Sequence, residues 1–269
     1  MSLTKGVRTT VSLRKSARKI VEIKINGKPT ETAEVSKTVV DAFLSFAGTN
    51  CRLSIGHEVE VPIGCGLGSS GAGALSLALA LNEVLGLDLS KVEAAQAAHV
   101  AEAKCKTGLG TVIAEAFGGL EIRVKPGAPG IGEIESVAVD DDYVVACLPF
   151  GPLSTRKALT DPRLHRAINR HGGKLVDELV RKPLVSTFLE LSRSFAESTS
   201  LTTPRVKKVL KDTESEGFIC SMAIFGETVF SMVRQDEVEK LLRIFRKHAQ
   251  FQHGILTTEV DRLGARVVK

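Results

Sequence analysis

Between Cys51 and Leu85 the chain passes from strict alternation, through Pro62-Ile63-Gly64-Cys65-Gly66-Leu67-Gly68-Ser69-Ser70-Gly71-Ala72, into an Ala/Leu-rich stretch. This junction limits the fold more than any other feature. From Cys51 to Val61, Leu53, Ile55, Val59 and Val61 point one way and Arg52, Ser54, Glu58 and Glu60 the other, which predicts a strand with one wet face. The small and apolar residues from Ser69 to Leu85 predict a buried helix. A strand, a glycine turn and a helix in this order leave unpaired amides and a positive dipole end at the turn, where Gly64, Gly66 and Gly68 let backbone approach an anion. Ser69 and Ser70 add hydroxyls able to bind a phosphate oxygen or a magnesium ion.

Residues 66 to 71 also spell G-x-G-x-x-G, the dinucleotide fingerprint. That reading requires a buried parallel strand before the turn and a strand after the helix, with an acid about 20 residues on. Here the preceding strand alternates, a second helix follows the first, and Asp88 belongs to a helix start. No G-x-x-x-x-G-K-[ST] occurs in the chain. A glycine turn that serves packing alone is the remaining alternative to an anion cradle.

The rest of the chain reads as mixed helix and strand. Val7 to Arg14 and Lys19 to Ile25 alternate and predict antiparallel strands, with Asn26-Gly27 as a turn. Ala33 to Phe46 has helical spacing, and Ser90-Lys91-Val92-Glu93 has that of a capping box, placing Glu102 near the far end of its helix. Strands are predicted at Leu120 to Val124, Ile134 to Val139 and Val144 to Leu148. Beyond them come helices at Pro162 to Val180, Leu184 to Glu197, Pro204 to Lys211 and Asp236 to His248. Strands are also expected at Gly217 to Ile224, Thr228 to Val233 and Ala265 to Val268. The pattern is α+β in two lobes.

The net charge of +5 admits anionic partners, but with no Trp and one Tyr the chain lacks the aromatic surface on which nucleic-acid bases stack. The apolar run Ala72 to Leu81 is too short for a bilayer, which needs roughly 20 residues. Five scattered cysteines without a C-x-x-C pair fit reduced thiols, and no secretory signal opens the chain, so a cytoplasmic protein is expected.

The stretch Pro62 to Ala72 resembles the ATP-binding signature of the GHMP kinases, the superfamily of galactokinase and the homoserine, mevalonate and phosphomevalonate kinases. The resemblance implies a lobe like ribosomal protein S5 domain 2 over residues 1–142 and a ferredoxin-like lobe over 143–269. It implies ATP, held by Pro62, Gly64, Gly66, Leu67, Gly68, Ser69, Ser70, Gly71 and Ala72, and Mg2+, held by Ser70 and Glu102. A solvated helical Glu102 is the alternative.

Lys104-Cys105-Lys106-Thr107-Gly108-Leu109-Gly110-Thr111-Val112, with Gly151-Pro152-Leu153-Ser154-Thr155 and Ser221-Met222-Ala223, resembles the pantoate kinases of archaea. That implies transfer of phosphate to the pantoate hydroxyl on the way to coenzyme A, with Ser70, Glu102 and Lys106 in catalysis and Lys104, Thr107, Thr155 and Arg156 toward the substrate. Another GHMP kinase, acting on homoserine, shikimate or mevalonate, or a weak nucleotide-binding module, stays open, as does a monomer or a homodimer. Two departures stand out. Superfamily members with an Asp base carry it after a Ser-Gly pair, and matching that pair to Thr107-Gly108 puts Gly110 in the Asp position, so no base is named. Relatives also begin with a strand and a Pro-Gly-His-like loop, whereas this chain starts at Met1-Ser2-Leu3, so an N-terminal lobe without its first strand, with weaker ATP binding or activity, is expected.

Overall fold

A computed structural model describes residues 1–108, 110–153, 162–199, 201–250 and 254–268, apart from the side chains at 163–165 and 167. The first half carries β1 (Val7–Lys15), β2 (Ile20–Ile25), β3 (Lys28–Pro29), α1 (Glu34–Ala47), β4 (Cys51–Val59), α2 (Ser69–Leu85), α3 (Lys91–Cys105), α4 (Thr111–Phe117), β5 (Leu120–Lys125) and β6 (Glu133–Val137). The second carries β7 (Tyr143–Pro152), α5 (Pro162–Arg181), α6 (Val185–Ser198), α7 (Pro204–Glu214), β8 (Ser221–Met222), β9 (Gly226–Arg234), α8 (Val238–His248) and β10 (Leu256–Thr258).

The first sheet has the order β1-β4-β2-β3. The expected antiparallel pairing of the first two long strands does not occur, because β4 lies between them. It runs antiparallel to β1, from Val7 opposite Val59 to Lys15 opposite Cys51, and parallel to β2, from Ile20 opposite Arg52 to Ile25 opposite His57. The crossover through α1 returns the chain in the direction of β2, leaving β1 to pair on the other edge of β4. The tight turn at Asn26 (φ 47) and Gly27 (φ 78) instead pairs β2 with β3, both positive angles suiting a two-residue hairpin.

Helix α2 is buried over much of its circumference, at Ala74, Leu75, Leu77, Ala78, Leu79 and Leu81. Such a helix must lie between layers. It meets α1 through Val39, Val40 and Phe43 and α3 through Ala94, Ala95 and Ala98, all in one apolar cluster. The capping box of α3 forms as the sequence predicts: Glu93 N donates to Ser90 Oγ at 3.3 Å and Ser90 N to Glu93 Oε2 at 2.8 Å. One inward position of β4 is polar. His57, 4% exposed, has Thr9 Oγ1 2.8 Å from Nδ1 and Ser36 Oγ 3.1 Å from Nε2, and Thr9 in turn meets Ser76 on α2. Burial therefore leaves the ring paired, and it lowers the His57 pKa.

The second sheet, β10-β7-β9-β8, is antiparallel throughout. Taken in chain order its strands and the helices between them give the ferredoxin-like arrangement, with α7 and α8 packing Val206, Val209, Leu210, Leu241 and Phe245 against it. A third cluster joins Val61, Leu120 and Ile122 to Val145, Phe230 and Leu256 across both halves. The C-terminal strand expected at Ala265 to Val268 is absent. Gly264 (φ 67) turns the chain, and Ala265 N donates to Glu115 O at 2.8 Å, so this segment lies along α4. The closing strand is β10, too short at three residues for its alternation to stand out.

None of the five cysteines is joined in a disulfide, and burial pushes the thiols of Cys147 and Cys220 up to about 12 and about 11. Among the described residues no helix is long and apolar enough to cross a membrane. His57 makes a prediction. Its folded pKa lies below the ordinary 6.5, so the folded state binds fewer protons, and stability falls as pH drops below 6.5. Thermal unfolding followed from pH 7 to pH 5 should lose Tm less steeply in His57→Gln than in the wild type; part of the slope remains, since His99 is shifted the same way.

Candidate active site

The glycine stretch forms a turn that only glycine adopts readily: Gly64, Gly66 and Gly68 have φ of 78°, 80° and 73°. Gly68 ends the turn as the N-cap of α2, and no side chain caps that helix. The first-turn amides, which have no acceptor within a helix, are thus left for a ligand. Leu67, Gly68, Ser69, Ser70, Gly71 and Ala72 line a cleft of about 2010 Å³, as do Gly64 and Gly66, while Pro62 and Cys65 do not. Cys65 is instead buried under the second sheet.

Glu102 is 2% exposed, which removes the solvated reading. Its Oε1 accepts from Ser70 Oγ at 2.5 Å and from Thr107 Oγ1 at 2.7 Å. The break after α3 creates this meeting: Lys106 ends the helix at φ 55 and Thr107 N bonds back to Glu102 O at 3.1 Å. Gly108 must be small, since a Cβ there would come 2.4 Å from Glu102 Oε2. Lys106 lines the cleft and Lys104 does not, lying exposed on α3. Thr155 and Arg156 lie outside the described residues.

The space expected of a base is taken by other groups. A Cβ on Gly110 would fall 1.9 Å from Arg123 Nη1. Arg123 comes from β5, where Leu120 and Ile122 are buried while Glu121 and Arg123 share the opposite face; Nη2 donates to Glu121 Oε1 at 3.1 Å, and Nε is buried without a partner. Thr111, which opens α4, faces the loop, its Cγ2 2.9 Å from where a Gly68 Cβ would be. One turn on, Glu115 lies against the same glycines, with Oε1 and Oε2 2.8 Å and 2.9 Å from the Cβ positions of Gly68 and Gly71.

Burial, and then the charge of Glu102, raise the Glu115 carboxyl well above its ordinary range, and its Oε2 has no partner. Sequence reasoning missed Arg123, Thr111 and Glu115. The alternation of Leu120 to Arg123 and the four-residue spacing from Thr111 to Glu115 carried the signal, but α4 itself is too short to read from period alone.

Glu115 yields a second prediction. A carboxyl whose folded pKa is raised binds its proton more tightly when folded, so its penalty on stability grows as pH rises above 4.5. Glu115→Gln, which mimics the protonated form, should match wild-type Tm at pH 4 and exceed it at pH 7 by roughly 2–4 °C, about 1 kcal/mol for a chain of this size.

The GHMP kinases N terminal domain model matches residues 34–119, from α1 through the glycine turn to the end of α4. A pantoate kinase of Thermococcus kodakarensis is 35% identical over 246 residues, covering 89% of this chain and 80% of its relative. One of Methanocaldococcus jannaschii is 34% identical over 222 residues, covering 82% and 79%. A solved phosphotransferase related to the CoA biosynthesis pathway superposes with a TM-score of 0.86 at 30% identity, over 97% of this chain and 85% of that one. With the turn, the uncapped helix and these relatives together, the chain belongs to the GHMP kinases, in the group of its pantoate kinase relatives.

Proposed function

We propose that this ATP-dependent kinase transfers the γ-phosphoryl group of ATP to the terminal hydroxyl of pantoate, giving 4-phosphopantoate for coenzyme A synthesis. The observation that carries the reading is the uncapped start of α2 beside the Ser70, Glu102 and Thr107 constellation. Backbone amides there suit the phosphates, and the oxygen donors suit a hard divalent cation. Ser70 and Glu102 are the residues we assign to Mg2+, which when bound would neutralise charge on the phosphates. Two relatives named pantoate kinase support the acceptor.

Phosphoryl transfer depends chiefly on positioning and charge neutralisation. In this proposal the substrate oxygen attacks the γ-phosphorus in line, the bond from the γ-phosphorus to the bridging oxygen breaks, ADP leaves, and the hydroxyl proton passes to a phosphate oxygen. Lys106 offsets charge on the γ-phosphate. Thr107 donates its hydroxyl to Glu102, which helps hold the carboxylate in place, and its oxygen lone pairs are able to accept from the acceptor hydroxyl. Arg123, with a buried, unpartnered Nε, is suited to the pantoate carboxylate, which a guanidinium fork can grip with two bonds.

ADP release with pantoate, homoserine, shikimate and mevalonate tests the acceptor: pantoate should give the highest kcat/KM, and a better rate with any of the others would overturn the assignment. Ser70→Ala and Glu102→Gln should each lower kcat by roughly 10²-fold or more, measured at saturating ATP and Mg2+. A near-normal rate would remove that residue from the site.

A further inference from the structure

The turn that closes over the glycine loop is held from behind. Gly226 lies so close to the loop that a Cβ there would fall 1.9 Å from the Cys65 carbonyl carbon, and Thr228 Oγ1 donates to Cys65 O at 2.7 Å. Successive residues of a strand face opposite ways, so Glu227, between them, turns away from the loop. It is 7% exposed. Its carboxylate is gripped three times: by Arg205 Nη2 on Oε2 at 2.5 Å, by Arg205 Nε on Oε1 at 3.2 Å, and by Thr203 Oγ1 on Oε1 at 2.5 Å.

Both partners are fixed in turn. Thr203 is the N-cap of α7 and accepts from Val206 N at 3.2 Å. The Arg205 guanidinium lies 4.7 Å from the centre of the Phe150 ring, on the strand that pairs with β9. Glu227 is buried while the Arg205 side chain keeps 40% of its surface exposed, and such a pair is a poor source of net stability, because desolvation of the carboxylate and solvent screening at the guanidinium offset much of the attraction. A two-bond fork does fix direction. Its place, one residue from each of the two contacts on Cys65 and Gly66, gives that direction a use.

We propose that Glu227, Arg205 and Thr203 are positioning residues for ATP. They set β9 in register under Cys65 and Gly66, so that the loop and the start of α2 are already arranged when the triphosphate arrives. They act through Gly226 and Thr228 and do not touch the nucleotide. The inference rests on ATP binding at the glycine loop and is independent of which acceptor is used.

Arg205→Met, Arg205→Lys, Glu227→Gln and the double variant Arg205→Met with Glu227→Gln test it. The readouts are the Kd of a non-hydrolysable ATP analogue with Mg2+ by calorimetry, the KM of ATP and of the acceptor, and Tm. Arg205→Met leaves a buried carboxylate unpaired and should lower Tm as well as raise the analogue Kd by about tenfold or more, with the acceptor KM within about twofold. Arg205→Lys, which keeps the charge and loses the fork, should lie between. The double variant removes both charges and should recover wild-type Tm while its Kd stays raised. Wild-type analogue affinity in the double variant would reduce the pair to a stabilising role, and an unchanged Kd in Arg205→Lys would overturn the fork as the positioning element. The double variant keeps the test decisive even where Arg205→Met alone does not fold.

Discussion

Gly66 and Gly226 meet backbone to backbone, and the site depends on that contact. A Cβ on Gly66 would come 2.9 Å from Gly226 Cα, and one on Gly226 would overlap the Cys65–Gly66 peptide. No side chain can be placed in either position without parting the loop from the second sheet. Through this contact a turn that precedes a helix of the first half is fixed by a hairpin of the second. The hairpin in turn accepts an unfavourable angle, φ 61 at Phe225, a conformation that costs a bulky residue energy and persists only where its surroundings hold it. The glycines at 64, 66 and 68 serve a second end, supplying positive φ so that the chain can wrap without side chains and deliver α2 uncapped.

A site for a polyphosphate contains several carboxylates, and their environments separate them. Glu102 accepts two hydroxyl hydrogen bonds, from Ser70 and Thr107. Glu115, shut against glycines with an oxygen lacking any partner, favours its proton. Glu121 is matched with Arg123. The first acid is held by two hydroxyls, the second lies buried against the start of α2, and the third is paired with an arginine. Only the spacing of Glu102 from the break at Thr107 was accessible without the fold, because the other two acids acquire their character from packing against residues distant in the chain.

Legibility followed the range of the interactions. The α2 span, the capping box at Ser90 and Glu93 and the alternation of β4 are local, and each appears where periodicity and cap chemistry place it. Pairing is not local. Val7 to Lys15 alternates equally well beside any strand, and only the crossover through α1 puts β4 between β1 and β2. The inward place of His57 on β4 was hidden for a related reason: a histidine in an apolar register is tolerated because Thr9 and Ser36 come from two other elements to satisfy it. At the C-terminus, Val267 and Val268 carry strand propensity, yet the turn at Gly264 and the bond from Ala265 to Glu115 direct the segment along α4.

The position that carries an Asp base in other superfamily members bears on how such a site can work at all. Gly110 offers no side chain, Thr111 offers a hydroxyl too weakly basic to take the proton, and the guanidinium of Arg123 fills the volume a carboxylate on Gly110 would need. An arginine there changes the local charge from negative to positive. A positive group at this position suits the acceptor carboxylate we assign to it and does nothing to remove a proton. A reaction whose demands are mostly alignment and charge can accept that exchange, since a phosphate oxygen is itself available to receive the proton. On the reading proposed above, the place of a proton-abstracting carboxylate is taken by a group that pairs with an anion, near a loop fixed by Gly66 and Gly226.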